Sequence, residues 1–162
     1  MAKSSSWSKE FSCSAETLLG IITDPDFHKA RSDLLENPST TVKEISRTGE
    51  KLVFEVHCVE YAKGIKGVDK SKTEQSVTTY DFELRSRRGE WSYAGPQGKR
   101  VKVWGDMTVT EAGGGARLTQ NFNVDVKIPL VGGQIEKLVI KESGKFWPKY
   151  EQLVSEFVQK AG

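Results

Sequence analysis

The sequence is short of cysteine and histidine. Two cysteines, Cys13 and Cys58, occur in 162 residues. Two are too few for a disulfide framework, and their spacing is not that of a metal site. Two histidines, His28 and His57, give a transition-metal centre little to draw on. No metal and no cofactor is expected. No apolar run approaches the roughly 18 residues that a membrane-spanning helix needs. The residues after Met1 include Ser4, Ser5 and Ser6 before a single Trp7, which is not a secretion signal. The expected location is cytoplasmic. An excess of one charge is missing too: 24 basic and 22 acidic residues leave a net charge of +2. That balance speaks against nucleic acid as a partner held by bulk electrostatics.

What is present is a chain with 36% hydrophobic and 28% charged residues. Its length favours a single domain, residues 1–162, with a real core. The two cysteines fall in apolar strand-like patterns, where reduced, buried thiols are expected.

The last third carries the strongest signal. Ile128-Pro129-Leu130-Val131-Gly132-Gly133 leads into an amphipathic stretch over residues 134–160. Ile135, Leu138, Val139, Phe146, Tyr150, Leu153, Val154, Phe157 and Val158 fall at helical spacing in one broad stripe. Such a helix is roughly 40 Å long at about 1.5 Å per residue. Pro148 lies inside it, and its ring pushes on the Gly144 carbonyl, so a bend is expected there.

The remainder divides into a short strand, two short helices and six strands. Residues 6–13 alternate as a strand. Ser14 is an N-cap with Glu16 in the first turn, and Leu18, Leu19 and Ile22 give that helix its apolar face. Asp24-Pro25 starts a second helix, with Phe27, Ala30, Leu34 and Leu35 on its buried side. Strands are expected over residues 40–46, 51–61, 76–88, 90–94, 100–110 and 116–128. The clearest alternation is Leu118, Gln120, Phe122, Val124, Val126 and Ile128. Short turns make these strands antiparallel, and one apolar face asks for one cover, which the long helix supplies. Residues 62–73 read as a basic loop.

This order resembles the START-like (SRPBCC) superfamily, whose helix-grip fold includes birch-pollen allergens, polyketide cyclases and lipid-transfer domains. The residues that carry the resemblance are Phe11-Ser12-Cys13-Ser14-Ala15-Glu16, Ile22-Thr23-Asp24-Pro25-Asp26-Phe27-His28 and the segment from Ile128 to Glu136. The closing segment is similar to one bacterial branch of unknown function. The implied fold is α+β: a curved antiparallel sheet of about seven strands, two short helices after the first strand, and a long kinked C-terminal helix packed across the sheet. The resemblance also implies a deep cavity between sheet and helix for an apolar molecule.

On that reading the cavity is lined by Phe54, Val56, Tyr80, Phe82, Val103, Met107, Gln120, Phe122, Leu138, Phe146 and Tyr150. For the aromatic residues, core packing and pocket lining both remain open. Gln120, on an apolar face, either finds a partner such as Tyr80 or backbone, or orients a polar group of a ligand. Both histidines read as surface residues. No Ser-His-Asp or Cys-His set arises from the spacing, so no catalytic residue is assigned. Trp104, on the polar side of its strand beside Gly105, marks a bulge or an exposed ring. Lys63, Lys66, Lys70 and Lys72 form either a solvated loop or a patch attracted to anionic membrane surfaces. The leading expectation is a carrier or sensor of a hydrophobic small molecule such as a lipid, sterol or polyketide-like compound. A cyclase-type enzyme, with Tyr80, Gln120 and Tyr150 as candidates, and a protein-interaction module are the alternatives.

Overall fold

Two capping side chains set the start of the fold. In the computed structural model, which describes residues 2–64 and 67–162, strand β1 (Lys3–Phe11) ends just before Ser14. The Ser14 hydroxyl accepts a hydrogen bond from the Thr17 amide at 3.0 Å and opens helix α1 (Ala15–Ile22). Asp24 accepts from the Asp26 amide at 2.9 Å and opens helix α2 (Pro25–Leu34). Pro25 occupies the first helical position, where its missing N–H costs nothing.

Six strands follow: β2 (Ser39–Arg47), β3 (Lys51–Gly64), β4 (Gly67–Glu83), β5 (Arg88–Ala94), β6 (Val101–Ala112) and β7 (Gly115–Val126). They form one sheet in the order β1-β7-β6-β5-β4-β3-β2, with each neighbouring pair antiparallel. β1 pairs with the last strand, so α1 and α2 carry the chain from one edge of the sheet to the other. Helix α3 (Gly132–Ala161) then packs across the sheet. This is the α+β helix-grip fold, with a curved seven-stranded antiparallel sheet.

The filled part of the core lies where α1 and the end of α3 meet the sheet. Leu18, Ile22, Phe27, Leu52, Phe82, Leu118 and Val154 are fully or almost fully buried there. Each contributes about 1.5–3 kcal/mol of burial before entropy is subtracted. The entry of α3 is fixed separately. Glu136, 1% exposed, accepts a hydrogen bond from the Val126 amide at 2.8 Å through Oε2. A Cβ on Gly132 would lie 2.4 Å from the Val126 carbonyl oxygen, so a side chain there would push helix from strand. α3 runs unbroken through Pro148 for 30 residues, about 45 Å.

Several expectations are corrected. Residues 62–64 and 67–73 are not loop but the extended arms of the β3–β4 hairpin. Pairing jumps from Tyr61↔Thr73 to Ala62↔Asp69, which leaves residues 70–72 outside the ladder. Lys70 and Lys72 sit there, exposed. Lys66 and the side chain of Lys63 lie outside the described residues. Leu35 follows the end of α2 and is 40% exposed instead of buried. His28 is the reverse case, 3% exposed and inside the core. Gly105 stays in register, so there is no bulge at Trp104; that ring is half-buried beneath the Lys102 ammonium. Cys13 and Cys58 are free but only half-buried.

Candidate functional site

The inner face of the sheet changes in side-chain size along its strands. Cross-strand rows make this visible. One row runs Leu52, Phe82, Gly89, Met107, Gln120 and Trp7. Gly89 is needed because a Cβ there would meet the Phe82 ring at 2.5 Å. The next row runs Phe54, Tyr80, Trp91, Gly105 and Phe122. Beyond these most inward residues are small, Val56, Thr78, Cys58, Ser76, Val101 and Val103, with the Tyr93 ring between Thr78 and Val103. Small side chains on a curved sheet cannot reach a helix laid across it, so space remains.

That space is a cavity of about 400 Å³ between the sheet, α2 and α3. Its volume lies within the range of about 300–1,000 Å³ typical of small-molecule sites. Tyr80, Trp91, Met107 and Gln120 line it from β4, β5, β6 and β7. Val139, Phe146, Trp147 and Tyr150 line it from α3, bracketing Gly144 and Pro148. His28, Arg31 and Ser32 line it from α2.

Of the expected lining residues, Val56, Tyr80, Val103, Met107, Gln120, Phe122, Phe146 and Tyr150 lie on the cavity. Phe54, Phe82 and Leu138 do not. Phe54 stacks on Tyr80 at 4.9 Å between centroids, and Phe82 stacks behind Phe54 at 6.0 Å. They form a backing layer behind the wall. Leu138 is 39% exposed, and the next residue, Val139, takes the lining position.

The polar groups of the lining are few and unevenly matched. Ser76 and Tyr93 both donate to Oε2 of Glu60, Tyr93 at 3.1 Å. The Ser32 hydroxyl is hydrogen-bonded to the Thr40 hydroxyl and accepts from Asn37 Nδ2 at 2.8 Å. His28 Nε2 donates to the Ile22 carbonyl at 2.7 Å, which fixes the tautomer and leaves Nδ1 as an acceptor. Burial and, more weakly, the Arg31 charge hold its pKa down at about 4. Burial raises the pKa of Tyr80, Tyr93 and Tyr150, so all three hydroxyls stay protonated.

Three buried donors have no partner among the described residues: the indole N–H groups of Trp91 and Trp147, and Nε2 of Gln120. All three residues line the cavity. Gln120 stands close enough to the Tyr150 hydroxyl to act weakly on it, but without the geometry of a hydrogen bond. Of the alternatives open to Gln120, the bond to Tyr80 is not formed among the described residues. A buried unpaired amide costs about 1–3 kcal/mol.

Arg31 is the cation of the site. Its guanidinium lies 5.2 Å from the centre of the Phe146 ring, and no carboxylate pairs with it among the described residues. Nothing in the sequence distinguishes it from other helix-surface arginines. Trp91, Tyr93 and Ser76 are findable there, since each continues the inward alternation of its strand. Among the described residues, no cluster of His, Cys, Asp and Glu has the geometry of a metal site. Among the described residues neither histidine hydrogen-bonds a hydroxyl or thiol: His28 bonds the Ile22 carbonyl, and His57 lies 2.9 Å from the Glu55 carboxylate.

Residues 6–158 match the family model described as Protein of unknown function (DUF2505). The chain belongs to this family. No curated protein matches the sequence. Solved structures share the fold at low identity. TTHA0849 from Thermus thermophilus is 16% identical with a TM-score of 0.67, and the match covers 99% of each chain. The Zhui aromatase/cyclase from Streptomyces sp. R1128 is 11% identical with a TM-score of 0.64, over 100% of this chain and 97% of its own. A START superfamily protein from Mycobacterium smegmatis is 18% identical with a TM-score of 0.57, over 98% and 99%. The DUF2505 chain thus has the START-like fold, as its opening and closing segments imply.

Proposed function

We propose that this protein binds a hydrophobic small molecule in the cavity between sheet and α3, as a carrier or sensor. The observation that carries the reading is an apolar-walled space of about 400 Å³ in which Gln120 presents a buried, unpartnered amide. A chain that needed only a core would fill the space or pair the amide, because each failure costs stability. Pockets that hold small molecules have this make-up: apolar walls and a few convergent polar atoms. A cytoplasmic location is part of the same proposal. No helix among the described residues is long and apolar enough to cross a membrane.

Native mass spectrometry of freshly purified protein tests the reading. The expected result is a non-covalent adduct that organic solvent strips away. Val103→Phe, which projects a ring into the cavity, should lose it. No adduct, together with no uptake of any apolar fluorophore by the wild type, would overturn the proposal.

The β3–β4 arm adds a membrane reading for delivery. Lys70 and Lys72 stand exposed on the unpaired segment beside Val68, which is 57% exposed. Each basic residue near an anionic surface contributes about 1 kcal/mol. Co-sedimentation with phosphatidylserine vesicles should weaken in a Lys70→Gln/Lys72→Gln variant; equal binding by both proteins would reject this contact.

A further inference from the structure

The cavity wall offers donors and a cation that the chain itself does not satisfy. Trp91 Nε1, Trp147 Nε1 and Gln120 Nε2 are buried without acceptors among the described residues. Gln120 is 5% exposed, so bulk water is a poor substitute. Arg31 lies on the same wall, half-buried over Phe146, with no carboxylate partner among the described residues. Its charge reaches inward, where it acts on the Tyr80 and Tyr150 hydroxyls and on His28.

The two carboxylates of the lining do not answer it. Glu60 already accepts from Ser76 and Tyr93. Glu142 is 58% exposed at its side chain and pairs with Lys145 at 3.2 Å. An apolar pocket therefore has a surplus of N–H donors and one unneutralised guanidinium. An occupant that supplied only hydrocarbon would strip water from the half-buried Arg31 guanidinium and return nothing. An occupant with an anionic oxygen would give Arg31 a charge-assisted hydrogen bond in a low-dielectric setting.

We propose that the ligand is an organic acid: an apolar, aromatic-sized body carrying one carboxylate or comparable oxyanion, with the anion held by Arg31 and a second acceptor met by Gln120. This deepens the small-molecule reading above and rests on it. The aromatic body fits the ring-rich wall of Trp91, Phe122, Phe146 and Trp147. The anion has a reason to prefer the α2 side, where Arg31 stands.

A matched pair of fluorescent probes separates the two claims. 8-Anilinonaphthalene-1-sulfonate is an aromatic anion, and N-phenyl-1-naphthylamine is its neutral counterpart without the sulfonate. Titration by fluorescence should show the wild type binding the anion roughly ten-fold or more tightly, as one charge-assisted hydrogen bond provides. Arg31→Met should erase that preference, read as the ratio of the two probes' dissociation constants within each protein. Gln120→Leu should tighten the neutral probe, because it removes an unpaired amide without changing the charge. Circular dichroism of both variants confirms folding, and Arg31→Lys, which keeps the charge, should restore part of the preference. If both probes bind equally to wild type and Arg31→Met, the acid inference fails while the hydrophobic cavity stands. If neither probe binds the wild type, the cavity reading itself fails.

Discussion

His28 Nε2 lies 2.7 Å from the carbonyl oxygen of Ile22, so a core histidine is tied to the last turn of α1. The imidazole sits among Phe27, Phe54 and Tyr80, with ring centroids 4.7–5.6 Å away. Burial disfavours the charged ring and lowers its pKa from 6.5 to about 4; the Ile22 bond opposes the shift, and Arg31 adds to it. The unfolded chain therefore binds a proton at a pH where the folded chain does not. Stability is complete above about pH 6.5 and is lost as pH falls toward 4. At about 1.4 kcal/mol per pH unit the loss amounts to about 3 kcal/mol. Urea unfolding of wild type and His28→Gln at pH 7 and pH 4 should show it. The variant should lack this component of the acid slope, and an identical slope in both proteins would contradict the buried neutral ring.

Glu136 joins α3 to the end of β7 through its bond to the Val126 amide. With the side chain 1% exposed, no water replaces it easily. Glu136→Ala should lower unfolding free energy by about 1–3 kcal/mol, the cost of leaving the buried Val126 amide without its acceptor. Glu136→Gln keeps an acceptor and should lose less. Chemical denaturation midpoints check the order; equal midpoints for wild type and Glu136→Ala would remove Glu136 from this role.

The path from sequence to site is legible where periodicity reports burial. Ser14, Asp24 and Pro25 mark both short helices because caps act locally. The alternation from Leu118 to Val126 places Gln120 and Phe122 on the inner face correctly. His28 reads as exposed because a single polar residue on a short helix shows no period. Its burial depends on Phe54 and Tyr80, which arrive from distant strands. Leu138 misleads for a related geometric reason: two adjacent apolar residues lie about 100° apart on a helix, and only packing decides which one faces inward. The β3–β4 arm is hidden because its residues, largely polar on both faces, carry no alternation. The unpaired state of Arg31 is not legible at all, since a missing partner is a property of three-dimensional neighbours.

Gly105 is required by its surroundings. A Cβ there would fall 2.0 Å from the Asn121 carbonyl oxygen and 2.8 Å from the Trp91 ring. The first contact is with backbone, which cannot swing away. Gly105→Ala should therefore cost about 1–3 kcal/mol, as overpacking does, and shift Trp91 toward the cavity. A lower melting temperature together with altered tryptophan emission is the expected pair of results. An unchanged melting temperature would mean that the sheet yields there without cost.

Leu130 offers the opposite sign. It adopts φ of 72° in the turn before α3, and its side chain is fully exposed at 101%. A non-glycine residue in that conformation carries about 1–2 kcal/mol of strain. The side chain offsets none of it, because it buries nothing. Leu130→Gly should raise unfolding free energy by about 1 kcal/mol after glycine's larger unfolded-state entropy is subtracted. In a protein of this size that corresponds to a melting temperature roughly 2–4 °C higher. Leu130→Ala retains the Cβ and the strain, so it should leave the melting temperature where it is. Calorimetry on the three proteins separates conformational strain from an undetected packing role: a fall in both variants would show that the leucine side chain itself is needed.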